Sequence, residues 1–233
     1  MKTNIFALVA SISICSAYAA EEVEELYAKP GSMRGYIAIV NSQDMVPESV
    51  FVDAIDVIRE RLRYDFKFCK DGSAPKGAAI QLQIVDNSGD AAPMTVSPEI
   101  GRGVLNVAAL TNDLCSADTA RKLPNRVKLE FLRMLCYAFS VGGSQFGGNL
   151  MSATSVQELD SMQPFIPVDV FDKIDASAKK RGLRPEILAN YYEACEQGWA
   201  PAPTNDVQKA IWDKVHAVPA TPMKIEFDPK KGR

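Results

Sequence analysis

Four polar residues, Arg133, Tyr137, Ser140 and Ser144, place a guanidinium, a phenol and two hydroxyls within one short segment of the chain. Arg133 and Tyr137 are four residues apart, so their side chains lie on the same side of a helix. Together they could bind a carboxylate, a sulfate or a sugar hydroxyl through charge-assisted hydrogen bonds. These four residues are therefore the candidate ligand-binding residues.

The span 133–144 resembles the zinc-binding segment of the zincin metallopeptidases, particularly the metzincin and archaemetzincin-like branch, which reads HExxHxxGxxH. Arg133 stands for the first histidine, Met134 for the glutamate, Tyr137 for the second histidine and Ser140 for the glycine. The chain has one histidine, His216, far downstream and expected at a helix end. A two-histidine zinc site is therefore impossible, and we expect neither a metal nor another cofactor.

The substituted side chains remove the zinc-dependent mechanism that the resemblance would imply. In that family the bound metal acidifies a water molecule and the glutamate takes its proton. Arg133 repels a cation, Met134 cannot act as a base, and the Tyr137 phenol is a poor zinc ligand. The alternative to ligand binding is that Arg133 pairs with Glu130 or another acid. In that case it only neutralises the charge in the cavity where the resembled family holds its metal.

The residues after this helix extend the same resemblance. Gly142 and Gly143 end the helix where the family makes its turn. The run 149–152 (NLMS) resembles the Met-turn, a tight bend whose methionine packs beneath the metal site, and 155–162 (SVQELDSM) resembles the segment that follows it.

Carboxylates offer another route to catalysis. Glu130, Glu158 and Asp160 could meet near the cleft, and two close acids can share a proton and act as acid and base. Glu130 and Asp160 are the catalytic candidates, and the alternative is that these acids lie on a solvated surface. Cys136 is a further possible nucleophile, but a cysteine in an apolar helix is usually inert or disulfide-bonded.

The first 19 residues have the pattern of a secretory signal. Lys2 precedes an apolar stretch, and Ala17-Tyr18-Ala19 provides the cleavage site. We therefore expect export, to the medium, the periplasm or the cell surface, with no transmembrane segment in the rest of the chain. The net charge is −3, and the charged residues are scattered with no basic block. We therefore do not expect a nucleic-acid partner.

Four cysteines remain after cleavage of the signal: Cys69, Cys115, Cys136 and Cys195. An even number in an exported chain favours disulfides, and four cysteines allow three pairings. We expect Cys69–Cys115 and Cys136–Cys195, because the first pair flanks the predicted sheet and the second would join a late helix to the central one.

Hydrophobic periodicity predicts an α/β (α+β) fold with a mixed sheet, a long helix, a buried central helix and a mostly helical C-terminal half. Predicted strands cover 35–41, 78–85, 94–96 and 103–110, and a final strand or arm includes Met223, Ile225 and Phe227. Predicted helices cover 47–66, 126–141, 168–181, 185–198 and 205–215. The central helix has almost no polar face, so protein must surround it.

The resemblance and the elements together divide the chain into a signal (1–19), a zincin-like subdomain (20–152) and a helical C-terminal subdomain (153–233). They indicate an exported, metal-free pseudopeptidase that binds an extracellular peptide, glycoprotein or glycan through the retained cleft. A metal-independent hydrolase acting through carboxylates and a structural envelope protein are the alternatives.

Overall fold

A five-stranded mixed sheet forms the centre of the molecule, in a computed structural model that describes residues 25–72, 76–142 and 148–217. A two-residue strand, β1, comes before it. The strands are β1 (Tyr27–Ala28), β2 (Tyr36–Val40), β3 (Phe66–Cys69), β4 (Ala78–Val85), β5 (Met94–Ser97) and β6 (Arg102–Asn106). The sheet order is β3-β2-β4-β6-β5. The three pairs among β3, β2, β4 and β6 are parallel, whereas β5 is antiparallel to β6 and forms an edge.

Two helices pack against each other beside this sheet. Helix α1 (Glu48–Arg59) contacts α2 (Ser116–Ala138) where the rings of Phe51 and Phe131 lie 5.3 Å apart. Phe51 also approaches Phe68 of β3, at 6.4 Å. Helix α2 crosses β4, β5 and β6. Ten of its residues are buried, from Arg126 to Ala138, which confirms a buried central helix.

Helix α2 begins ten residues before the predicted start at Arg126. The apolar run starts only there, because residues 116–125 are mostly polar and Pro124 lies inside the helix. Proline removes a backbone hydrogen bond from a helix interior and usually marks its end. The apolar pattern therefore located the buried half of α2 and missed its solvated half.

Helix α1 ends before the predicted boundary, and strand β3 was not predicted. Leu62 and Tyr64 are buried and continue the apolar character past the end of α1. In β3, Phe66 and Phe68 flank Lys67, an alternation of only three residues. Four register pairs with β2 hold β3 in the sheet, and this long-range pairing is not visible in the local sequence.

The C-terminal half is mostly helical, as predicted. It contains α3 (Val168–Lys180), strand β7 (Leu188–Ala189), α4 (Tyr191–Glu196) and α5 (Asp206–Ala217). The helix predicted over 185–198 begins later, because Asn190 and Glu193 form a capping box that starts α4 at Tyr191. Strand β7 pairs with β1 instead. The predicted arm at Met223, Ile225 and Phe227 and the signal segment 1–19 lie outside the described residues.

The two expected disulfides are not formed, since all four cysteines are free. Cys136 lies inside the main hydrophobic core, whereas Cys195 is buried on α4 outside that core. The Sγ atom of Cys115 donates to Asp118, at the start of α2, and that of Cys69 donates to the carbonyl of Lys67. Spacing along the chain did not reveal these separate surroundings.

Within the described part of the chain, no helix is long and apolar enough to cross a membrane.

Candidate functional site

Arg133 is held in an internal ion pair on α2. Its Nη1 lies 2.6 Å from Oε2 of Glu130, one helical turn earlier, and its Nη2 donates to the carbonyl of Ala153 at 2.7 Å. The side chains are 11% exposed for Arg133 and 1% exposed for Glu130. This confirms the interpretation in which Arg133 pairs with Glu130. The guanidinium therefore joins α2 to the chain just after residues 150–152.

Burial dominates the electrostatics of this pair. It raises the pKa of the Glu130 carboxyl, and the neighbouring Arg133 charge opposes that shift. Oε1 of Glu130 and Nε of Arg133 have no hydrogen-bond partner among the described residues. An enclosed carboxylate with its own cation is poorly placed to exchange protons with a substrate.

Met134, at the position of the family's glutamate, packs against the sheet. Its side chain is fully buried, and a Cβ atom added to Gly103 of β6 would lie 2.6 Å from the Met134 Cγ. Glycine at 103 thus permits the close approach of α2 to β6. The side chain at this position is part of the core.

Tyr137 and Ser140 line an open cleft between the end of α2 and the edge strand β5. The cleft has a volume of about 470 Å³. We call it the Tyr137 cleft. Its lining consists of Met94, Val96, Pro98, Glu99, Tyr137, Ser140, Val141 and Gly142. Arg133 does not line this cleft, whereas Tyr137 and Ser140 do. Ser144 lies outside the described residues.

Ser140 has a left-handed backbone, with φ of 63°. Its N–H donates to the carbonyl of Tyr137 at 2.8 Å, just past the end of α2. Glycine is favoured at such a helix terminus because it lacks the Cβ atom that makes this conformation costly. The position therefore keeps the backbone geometry that the family's glycine suits, with a serine in its place.

The segment 149–152 forms the predicted tight turn. Residues Leu150–Ser152 make one 3-10 turn, and Oδ1 of Asn149 accepts from the N–H of Met151 at 2.8 Å. Met151 is 4% exposed and belongs to the same hydrophobic core as the buried face of α2. Leu150 and Met151 thus pack in the same core as the central helix.

The three acids proposed to meet have separate partners. Glu158 accepts from the N–H and the hydroxyl of Thr154, both at 2.8 Å. Asp160 pairs with Lys122 at 2.9 Å and with Arg126 at 2.7 Å. Glu130 is occupied by Arg133. Neither Glu130 nor Asp160 lines the Tyr137 cleft.

Arg126 is a structural centre that the sequence did not reveal. Its side chain is 0% exposed and forms bidentate salt bridges with Asp113 and Asp160, with N–O distances from 2.6 to 3.0 Å. Its Nη1 also donates to the carbonyl of Leu110. The guanidinium lowers the pKa of both carboxyls to about 2. An arginine at the start of an apolar run was the available signal, but its partners lie 13 and 34 residues away.

The residues that the resemblance places at a metal position do not fit a zinc ion. Within the described ranges, no group of three or more histidine, cysteine, aspartate or glutamate side chains could hold a metal. Arg133 contributes a fixed positive charge, and Met134 points into the core. His216 lies on α5, where its ring stacks on Trp212 and Nδ1 is 2.8 Å from the Trp212 carbonyl. This confirms its place at a helix end.

Comparisons with known proteins found structural similarity without sequence similarity. No family model and no curated protein matches the chain. Among solved structures, it is similar to archaemetzincin from Methanopyrus kandleri, at 16% identity and a TM-score of 0.49, over 64% of this chain and 98% of that one. A zinc-dependent peptidase from Methanocorpusculum labreanum matches at 14% identity and a TM-score of 0.44, over 60% of this chain and 100% of that one.

A third similar structure is archaemetzincin from Archaeoglobus fulgidus complexed with malonate, at 13% identity and a TM-score of 0.40, over 60% of this chain and 99% of that one. Similarity at these values assigns no chemistry to this chain. The case for its function rests on the side chains of the cleft and of the central helix.

Proposed function

We propose that this protein is a metal-free, zincin-like pseudopeptidase that binds a polypeptide in the Tyr137 cleft without cleaving it. One observation carries the proposal. Tyr137 and Ser140 line an open cleft, while Arg133 is tied to Glu130 and Ala153 and leaves no ligand set for a metal. The fold has a cleft that could hold an extended polypeptide. The residues that would perform hydrolysis in the resembled family are replaced.

The edge strand β5 favours a polypeptide over other occupants. Among the described strands β5 pairs only with β6, so alternate N–H and C=O groups on its other side face away from the sheet. An extended peptide can add to such an edge through main-chain hydrogen bonds and place alternate side chains in adjacent pockets. Met94 and Val96, two residues apart on β5, form the apolar wall of the Tyr137 cleft.

The cellular setting is proposed from the sequence. We infer that residues 1–19 direct export, which makes an extracellular polypeptide or the protein part of a glycoprotein the expected partner. A free glycan would lack the backbone that complements β5. Catalysis by Glu130 or Asp160 and a purely structural role are the competing functions.

Hydrogen exchange of the mature chain, with and without a library of extended peptides, tests this function. Bound peptide should slow the exchange of β5 amides in the wild-type protein. Tyr137→Ala should weaken binding about tenfold, because an aromatic wall of the pocket is lost. Lys128→Ala, a change on α2 outside the cleft lining, is the control. Unchanged exchange at β5 with every peptide would refute peptide addition at this edge.

A further inference from the structure

The Tyr137 cleft continues into a second depression beside α3. This second depression, with a volume of about 660 Å³, shares Glu99, Ser140 and Val141 with the cleft. Its far side is lined by Lys173, Lys180 and Arg181, among others. We call it the basic groove. An occupant that extends past Ser140 therefore leaves an apolar wall and meets a positively charged one.

Two of the three cations carry the charge of the basic groove. Lys173 is paired with Asp169 at 3.0 Å. Lys180 is exposed, and no ion pair joins it to another described residue. Nη2 of Arg181 donates to the carbonyl of Pro98, which fixes this side chain beside the turn that follows β5. Glu99 is the one acid among the described residues that line the groove, so the positive charge is in excess.

The end of α3 gives a structural reason for basic residues, since cations stabilise the C-terminus of a helix. That reason applies equally to Lys179 and Lys180, which are adjacent, exposed and in the last turn. Only Lys180 lines the basic groove. Comparing substitutions of these two lysines therefore distinguishes an effect on the helix from an effect on binding.

We propose that the cleft selects an extended peptide in which acidic residues follow an apolar one. The apolar side chain lies against Met94, Val96 and Tyr137, and the carboxylates lie beside Lys180 and Arg181. Residues two apart in a strand are on one face, about 6.6 Å from each other. A peptide that follows β5 can therefore place alternate side chains along the joined depressions. This inference rests on the proposed function and adds the charge of the ligand to it.

Fluorescence anisotropy with two labelled eight-residue peptides tests the charge preference on the mature chain. One peptide has a leucine followed by glutamates at alternate positions, and its twin has glutamines in place of the glutamates. The acidic peptide should bind about five- to tenfold more tightly at low salt. Lys180→Ala should reduce that preference about threefold, and Lys179→Ala should leave it unchanged. High salt should weaken the preference, because Lys180 is exposed and its charge is screened.

The outcomes separate this inference from the function on which it rests. Equal binding of the twins refutes the charge preference and leaves peptide binding intact. Equal losses in the Lys179 and Lys180 variants show a diffuse charge effect and also refute it. Binding of neither peptide refutes both proposals. Binding of a sulfated oligosaccharide with neither peptide bound assigns the cleft to a polyanionic glycan and overturns the peptide.

Discussion

Arg133 contributes a largely enclosed positive charge on α2, and the buried Glu130 is its counter-ion. Such a pair is weak evidence for stability in itself, because both charges lose their hydration. Removing one member of the pair is strongly destabilising, because the remaining charge is then buried without a partner. The carbonyl of Ala153 would also lose its donor. The pair therefore fixes the tight turn 150–152 to α2.

Replacing Arg133 alone should strongly destabilise the fold. We expect Arg133→Met to lower the free energy of unfolding by about 3 kcal/mol, because Glu130 is left buried and unpaired. The double variant Glu130→Leu with Arg133→Met should recover to within about 1 kcal/mol of the wild type. Urea denaturation followed by circular dichroism measures both. A loss below 1 kcal/mol in the single variant would show that the pair is not enclosed.

Ser140 is a second residue whose backbone makes a prediction. Its left-handed conformation is costly for any residue with a Cβ atom. Ser140→Gly should raise the free energy of unfolding by about 0.5–1 kcal/mol. Lys179→Gly, in the regular last turn of α3, should lower it by a similar amount. A destabilised Ser140→Gly protein would mean that the hydroxyl makes a contact worth more than the strain.

At the scale of elements, Arg126 joins three pieces of chain that are distant in sequence. It connects the buried half of α2 with the turn at Leu110 and Asp113 and with the 3-10 helix Gln157–Ser161. Because the arginine holds the pKa values of Asp113 and Asp160 below their ordinary value of 3.8, the folded state binds protons less readily there than the unfolded state. The stabilisation is therefore complete above about pH 4 and is lost as the pH falls towards 2.

Removing these carboxylates should flatten the acid limb of the stability curve. The wild-type free energy of unfolding should fall steeply between pH 4 and pH 2, and Asp160→Asn with Asp113→Asn should show a shallower fall. Arg59→Met, which removes an exposed cation of α1, should keep the wild-type slope. Urea titrations at each pH give the comparison. Parallel curves for all three proteins would contradict the assigned role of Arg126.

The same elements show what a single sequence can and cannot predict. The alternation of Ile80, Leu82 and Ile84 predicted β4 in full, and helical spacing predicted α3 to within a residue of its end. Strand β3 depends on its pairing with β2, and the start of α4 depends on the side-chain hydrogen bonds of its capping box. Hydrophobic periodicity reports neither. In the site, the motif placed Tyr137 and Ser140 beside a cleft. The ion pair of Arg133 with Glu130 is local and was one of the sequence alternatives, whereas the pair of Asp160 with Arg126 joins residues 34 apart in the chain.

At the scale of the whole molecule, the main core includes residues on both sides of residue 152. Leu150, Leu159, Val170 and Ile174 share it with α1 and α2. The start and end of the described chain also meet. Tyr27 accepts a hydrogen bond from Nε2 of Gln208 at 2.6 Å, and its ring lies 5.4 Å from that of Tyr191. The walls of the Tyr137 cleft and the basic groove, from β5, α2 and α3, are therefore supported by one packed body.

The most direct test of a peptide-binding, non-cleaving cleft is recovery of a bound peptide after long incubation with a chelator and the protein lacking residues 1–19. Mass spectrometry of the recovered acidic peptide reports binding and cleavage together. We predict that wild-type protein retains the peptide intact and that Tyr137→Ala protein does not retain it. Cleaved peptide, or retention that requires added zinc, would contradict the account.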